Sequence, residues 1–217
     1  MPAQRLDNTP VQAPPSAVAG QDAGTAGGLV RHLGFVVDGS GSMSSGDTIR
    51  VYHMGPPLET GGHMKVHCLG WIPLSQDETE AVRNWIDERE YEYKRQLVNQ
   101  PNQYIILPHM HISRFPNGAV RHYRFSCAGF IIEAFREIGI DLVETDESKL
   151  PAITYQQLKE IYPEVARTPH MSHRFGLTGN GPWPIVLCGY VMHAFDRTEG
   201  EIRGSAYLPI AGDERFG

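Results

Sequence analysis

One cysteine stands where a helix is predicted to begin. The segment SCAGFIIEAFREIGI places apolar residues on one helical face, with Ser126 as the N-cap and Cys127 directly after it. The unpaired backbone N–H groups of a first helical turn lower the pKa of a nearby thiol and are able to hold an oxyanion. Cys127 is therefore a candidate nucleophile. The alternative is that Cys127 packs as a small apolar side chain beneath the helix.

Two histidines on a predicted hairpin provide a candidate base and a third residue. If residues 39–46 form the loop, positions that sum to 85 face each other, and His32 then lies directly opposite His53. A nucleophilic cysteine needs a base, and the base needs a partner that orients its ring. We therefore expect His32 to act as the base for Cys127 and His53 to orient His32. Because the chain has 10 histidines, two unrelated strand histidines are the alternative.

The elements that must position these side chains alternate between strands and helices. Strands are predicted over 29–38, 48–55 and 63–74, and a helix over about 76–97 begins at a capping box formed by Ser75 and Glu78. Further strands flank the turn PNG, the Cys127 helix follows and ends at Gly139, and a short helix is predicted at about 154–161. The segments PIVLCGYVMHAF and SAYLPIA are predicted as final strands. This order indicates an α+β domain.

Composition sets the boundaries of that domain and excludes some partners. Residues 1–27 are rich in Pro, Ala, Gly and Gln, which predicts a disordered leader before one domain over 28–217. A net charge of −6 argues against nucleic acid as the main partner. The 3 cysteines are too few for a disulfide framework, and the sequence contains neither a secretory signal pattern nor a membrane span. We expect a cytoplasmic protein, with export without a classical signal peptide as an alternative.

Other chemically interesting residues have simpler interpretations. His109 and His111 form an H-x-H pair that lacks a third metal ligand at a defined spacing, so we expect no metal there. Cys68 and Cys188 each lie in an apolar run that we interpret as a strand, and we expect both to be inert. The Gly- and Pro-rich loop over 162–184 is either a lid over a cleft or a surface connection.

The motif D-x-S-x-S offers a competing function. Asp38, Ser40 and Ser42 resemble the metal-ion-dependent adhesion site of von Willebrand A-type domains. Such a domain is a doubly wound parallel sheet, and its motif opens a long amphipathic helix. The residues that follow here alternate with the period of a strand, so we interpret the motif as a hairpin loop that binds no metal.

Four segments together resemble the circularly permuted NlpC-type papain-like enzymes, a group that includes relatives of lecithin:retinol acyltransferase. These segments are RHLGFVVDG, RVYHM, LSQDETEAVRNWI and RFSCAGFIIEAFREIGIDLV, and the resemblance spans roughly residues 28–150. In permuted members the histidine strand precedes the cysteine helix, as it does here. The resemblance implies an antiparallel sheet packed on the cysteine helix, with Cys127 as nucleophile, His32 as general base and His53 as third member. Ala128 and Gly129 stand where common members often carry an acidic residue.

The expected function follows from this triad. The sequence predicts a cysteine-dependent hydrolase (amidase or peptidase) or acyltransferase that attacks an amide, ester or thioester and forms an acyl-enzyme on Cys127. The substrate would be a small molecule, a peptide or an acyl lipid, and no cofactor is required. The alternatives are a non-catalytic ligand-binding module on the same fold and the metal-dependent adhesion domain.

Overall fold

A six-stranded antiparallel sheet forms the centre of the protein. The computed structural model describes residues 3–24, 28–37, 41–54, 59–96, 104–163 and 175–217. The sheet has the strand order β1-β8-β3-β4-β6-β7, and each neighbouring pair is antiparallel. Its strands are β1 (Gln4–Arg5), β3 (Val18–Asp22), β4 (Val30–Val36), β6 (Thr48–His53), β7 (Glu59–Lys65) and β8 (Cys68–Gly70).

Five helices and three small two-stranded sheets complete the described part of the chain. The helices are α1 (Gln76–Gln96), α2 (Cys127–Arg136), α3 (Tyr155–Ile161), α4 (Cys188–Phe195) and α5 (Glu199–Gly204). The small sheets pair β2 (Val11–Gln12) with β5 (Ser42–Met43), β9 (Met110–Arg114) with β10 (Val120–Phe125), and β11 (Ala152–Ile153) with β12 (Trp183–Pro184). Among the described residues, no helix has the length and apolar character that a membrane crossing requires. The fold class is α+β with antiparallel sheets, as the sequence predicts.

The N-terminal segment is part of the sheet, and the prediction of a disordered leader over 1–27 is wrong for residues 3–24. Strand β3 lies between β8 and β4, and its residues Val18 and Ala19 are fully buried. Small residues suit this central position, because a Cβ atom on Gly20 would collide with Cys68 Sγ of β8. Part of the segment whose composition indicated disorder is therefore a packed central strand, Val18–Asp22. The domain therefore starts before residue 28.

Most of the predicted elements in the middle of the chain are confirmed. In α1, the Ser75 N–H donates to Glu78 Oε2 at 2.8 Å and the Glu78 N–H donates to Ser75 Oγ at 3.2 Å, which is the predicted capping box. Helix α2 begins at Cys127, and Gly139 has the positive φ of +77° expected after a helix end. Strands β9 and β10 and helix α3 also lie where the sequence places them.

The C-terminal part differs from the prediction of two strands. The segment 184–195 contributes only Pro184 to a strand, and residues 188–195 form α4, which is buried along almost its whole length. The segment 205–211 forms no strand, although Tyr207 makes an isolated parallel bridge to Val143. A continuous apolar run fits a buried strand and a buried helix equally well, which is why the pattern failed here.

The main core joins the sheet to α2 and α4. Phe35 of β4 lies 6.2 Å from Phe130 and 6.0 Å from Phe135 of α2, measured between ring centroids, and Phe135 lies 5.3 Å from Phe195 of α4. A second, smaller cluster, which includes Val36 and Val51, covers the other face of the sheet. The two helices therefore pack side by side against β4, and each begins with a cysteine.

Candidate active site

Cys127 lies at the first position of α2 and is buried, with an exposed fraction of 1%. The side chain of Ser126 caps the helix by accepting the Gly129 N–H at 2.8 Å. The Ser126 N–H donates to the carbonyl of His109 at 2.9 Å, which fixes the helix start against the chain just before β9. The amides of Cys127 and Ala128 occupy the first turn, where a helix offers no internal acceptor. These two N–H groups are the candidate oxyanion donors beside the sulfur.

His32 and His53 contact each other through their rings. His32 Nε2 lies 2.7 Å from His53 Nδ1, and the two rings are nearly perpendicular with centroids 4.8 Å apart. The predicted contact is therefore confirmed, but the predicted register is wrong. Val36 pairs with Val51 and Phe35 pairs with Tyr52, so facing positions sum to 87 rather than 85. A shift of two residues keeps side chains on the same face, and the two histidines meet diagonally across the strands.

The residues around this pair explain how the rings fit. The pairing of β3 with β4 skips Arg31, because Gln21 pairs with His32 and Asp22 pairs with Val30. Such a bulge redirects side chains and is common beside active sites. Gly34 leaves the space opposite His53 open, since a Cβ atom on Gly34 would lie 3.1 Å from the Cβ atom of His53.

The bulge brings the start of β4 to the Cys127 thiol. Val30 and Leu33 both join the core cluster that contains Cys127, although residues three apart point to opposite faces of a regular strand. The Cys127 thiol lies 3.9 Å from the carbonyl oxygen of Arg31, and His32 is close enough to lower the pKa of the thiol. The structure thus brings all three predicted site residues together.

The charges at the site favour a thiolate on Cys127 and a neutral His53. The hydrogen bond with Cys188 lowers the pKa of Cys127 most, and the hydrogen bond and charge of His32 lower the pKa further, against the effect of burial. Burial, followed by the charge of His32, lowers the pKa of His53 to about 4. His53 Nε2 is buried without a hydrogen-bond partner among the described residues.

Cys188 was expected in an apolar strand, and that placement is wrong. It begins α4, is fully buried, and its Sγ lies 3.2 Å from Cys127 Sγ. Burial, followed by the hydrogen bond with Cys127, raises the pKa of Cys188 well above its ordinary value, so Cys188 is the thiol of the pair.

Two tyrosines also reach the sulfur pair and were not predicted. The hydroxyl of Tyr104 lies 3.8 Å from Cys127 Sγ, and the hydroxyl of Tyr162 lies 3.8 Å from Cys188 Sγ. Both tyrosine side chains are buried, so each sulfur has a hydroxyl group beside it in the interior. Cys68, by contrast, stays in the apolar strand β8, where burial raises its thiol pKa to about 12.

The other candidate metal and lid residues form no comparable site. His109 Nε2 lies 3.0 Å from Glu133 Oε1 and thereby holds the start of β9 against α2, whereas His111 faces Arg124 across β9 and β10. The described part of the chain contains no group of three His, Cys, Asp or Glu side chains with the arrangement of a metal site. Residues 164–174 of the loop predicted over 162–184 lie outside the described residues.

The D-x-S-x-S motif lies mostly outside the described residues, which include neither Asp38 nor Ser40. Ser42 belongs to β5 and pairs with Gln12, so the predicted hairpin loop over 39–46 contains a short strand. The central sheet is antiparallel rather than doubly wound and parallel. This topology contradicts the adhesion-domain alternative.

Comparisons with known proteins give no relative of this chain. No protein-family model, no curated protein and no solved structure matches it.

Proposed function

We propose that this protein is a cysteine-dependent hydrolase or acyltransferase with a permuted papain-like fold, in which Cys127 attacks the carbonyl carbon of an amide, ester or thioester. The observation that carries the proposal is the meeting of the His32–His53 pair with a cysteine at a helix N-terminus. His32 holds the proton of Cys127, and His53 accepts a hydrogen bond from Nε2–H of His32, which fixes the ring and stabilises its charged form.

The proposed reaction proceeds in two steps. The Cys127 thiolate adds to the carbonyl, and the first-turn amides of α2 hold the oxyanion. His32 then gives its proton to the leaving group, which departs and leaves a thioester on Cys127. Water or another nucleophile, deprotonated by His32, attacks this thioester and restores the thiol.

Substrate entry requires some movement around the sulfur. The exposed fraction of Cys127 is 1%, so a carbonyl carbon reaches Sγ only after the groups that cover the thiol have moved. Gating of this kind is common among enzymes that exclude water from an acyl intermediate. No cofactor takes part in the proposed steps.

Intact-mass analysis with a panel of acyl amides, peptides, p-nitrophenyl esters and acyl thioesters tests this function. We expect an acyl adduct on Cys127, no adduct in Cys127→Ala, and a rate about 10²–10⁴-fold lower in His32→Ala. Cys68→Ala and His111→Ala are matched controls that retain the wild-type rate. A folded wild-type protein that forms no adduct with any member of the panel would contradict catalysis and favour a non-catalytic binding module.

A further inference from the structure

The N-termini of α2 and α4 converge on one pair of sulfur atoms. Cys127 and Cys188 are 61 positions apart in the chain, and their Sγ atoms lie 3.2 Å apart in a hydrogen bond. Their exposed fractions are 1% and 0%. The helices that carry the two residues are packed against each other and against β4, so the approach of the sulfurs is set by the core and does not depend on a surface loop.

The two thiols are chemically unequal. Cys127 is adjacent to His32 and to the hydroxyl of Tyr104, which both favour its thiolate. Cys188 faces the hydroxyl of Tyr162 and retains its proton, which it donates toward Cys127. A reactive thiolate beside a protonated partner is the arrangement in which one sulfur is oxidised first and the other resolves it.

We propose that Cys127 and Cys188 are a modification site, at which a hydroperoxide oxidises the two cysteines to a reversible disulfide. The chemistry of the pair does not depend on the proposed function, but its consequence does. Because Cys127 is the proposed nucleophile, the disulfide stops acylation until a dithiol reduces it. Cys188 thereby protects the nucleophile from irreversible oxidation.

The reaction balances in two steps. The Cys127 thiolate attacks the terminal OH oxygen of the hydroperoxide ROOH, the O–O bond breaks, and Cys127 becomes a sulfenic acid while RO⁻ takes up a proton and leaves as ROH. The Cys188 sulfur then attacks the sulfenic sulfur, the S–O bond breaks, and water leaves with the Cys188 proton. The two cysteines lose two electrons in total, and the hydroperoxide gains them. Bond formation needs the sulfurs to approach by about 1 Å.

The closeness of the two sulfurs selects the partner. Because Cys188 Sγ already lies 3.2 Å from Cys127 Sγ, it reaches the sulfenic sulfur before an external thiol does. Cys68 is the remaining cysteine, and it lies in β8, where its sulfur packs beside Gly20. The disulfide should therefore join Cys127 to Cys188 and leave Cys68 reduced.

Mass spectrometry of the full chain after treatment with hydrogen peroxide tests the proposal without any variant. We expect a loss of about 2 Da, a cross-linked peptide that contains Cys127 and Cys188, and full reversal by dithiothreitol. In the matched experiment, Cys68→Ala behaves as wild type. We expect Cys188→Ala and Cys188→Ser to form no cross-link. In both variants Cys127 should be oxidised further to sulfinic acid, which dithiothreitol does not reverse.

Several outcomes would overturn the inference. These are oxygen added to wild-type Cys127 without a cross-link, a cross-link to Cys68, or protection of Cys127 in both Cys188 variants equal to that in wild type. Acyl-adduct formation, measured on the same reduced sample, separates this inference from the proposed function. A cross-link without any acyl adduct supports the disulfide and contradicts the proposed catalytic function. An acyl adduct without a cross-link contradicts the disulfide alone.

Discussion

His53 Nδ1 lies 2.7 Å from His32 Nε2, and burial, followed by the charge of His32, lowers the pKa of His53 to about 4. A neutral His53 is able to accept a hydrogen bond from His32 at Nδ1. In the proposed mechanism, His53 therefore orients the His32 ring, and His32 takes up the proton of Cys127.

The low pKa of His53 predicts a stability that depends on pH. The pKa falls from its ordinary 6.5 to about 4, so between these values the unfolded chain binds a proton that the folded chain does not. The free energy of unfolding should rise with pH across this window, and the contribution is lost as pH falls from 6.5 toward 4. After allowance for partial exposure, we expect about 1–2 kcal/mol from His53, measured by urea unfolding at several pH values.

The variant His53→Asn isolates that contribution. Asn retains an acceptor near the position of Nδ1 but does not titrate, so the variant should lack this part of the pH dependence. His111→Asn, on the more exposed strand β9, should retain the wild-type slope. Equal slopes in wild type and His53→Asn would show that His53 titrates normally.

Labelling with iodoacetamide should distinguish the three cysteines. Burial raises the thiol pKa of Cys68 to about 12 and raises that of Cys188 well above its ordinary value, whereas the pKa of Cys127 is lowered. Because the thiolate is the nucleophile, we expect Cys127 to react first near neutral pH. Peptide mass mapping at successive times identifies the labelled cysteine. The denatured chain should label all three alike, and faster labelling of native Cys68 or Cys188 would contradict the mechanism.

The helix cap beside the nucleophile should contribute measurably to stability. Ser126 is 2% exposed, and its Oγ accepts the Gly129 N–H at 2.8 Å. Ser126→Ala leaves that amide buried without its acceptor, so we expect a loss of about 1–2 kcal/mol in the free energy of unfolding. Thr154→Ala removes the exposed cap of α3 and should cost less; the reverse order in urea unfolding would contradict this account.

Residues of the N-terminal strand should tolerate charge poorly. Ala19 is fully buried between neighbouring strands, so Ala19→Asp buries a carboxylate without a partner and should lower the free energy of unfolding by about 3 kcal/mol or more. Asn8→Asp adds the same charge at an exposed position and should leave thermal unfolding almost unchanged. If both variants melted like wild type, residues 3–24 would not belong to the folded core.

The contrast between α2 and α4 shows what the sequence allows one to predict. In α2, a Ser cap and an apolar face separated by polar positions define a helix, so the place of Cys127 follows from local chemistry. In α4, Leu187 provides no side-chain cap and the residues are apolar almost throughout. Residues 188–195 form a helix because of how they pack between α2 and the sheet, and this packing cannot be read from the local sequence. The contact between Cys188 and Cys127 was therefore hidden from sequence reasoning.

The contact between His32 and His53 was predicted correctly, although the register of β4 against β6 was not. An error of two residues in the register does not change which side chains share a face, so the predicted contact between His32 and His53 survives that error. The alignment of the strands depends instead on the turn between them and on β5, which leaves the hairpin to pair with β2. The bulge at Arg31 likewise arises from pairing with β3, a strand that the composition of residues 1–27 concealed.

The contacts that define the site join distant parts of the chain, and this affects when its chemistry begins. Arg31 and Cys127 are 96 positions apart, and Cys127 and Cys188 are 61 positions apart. Contacts with such large sequence separation form late in folding, because long loops must close before the contacts are made. In a nascent or partly folded chain the three cysteines should therefore react alike. The enhanced reactivity of Cys127 should develop only when folding is complete.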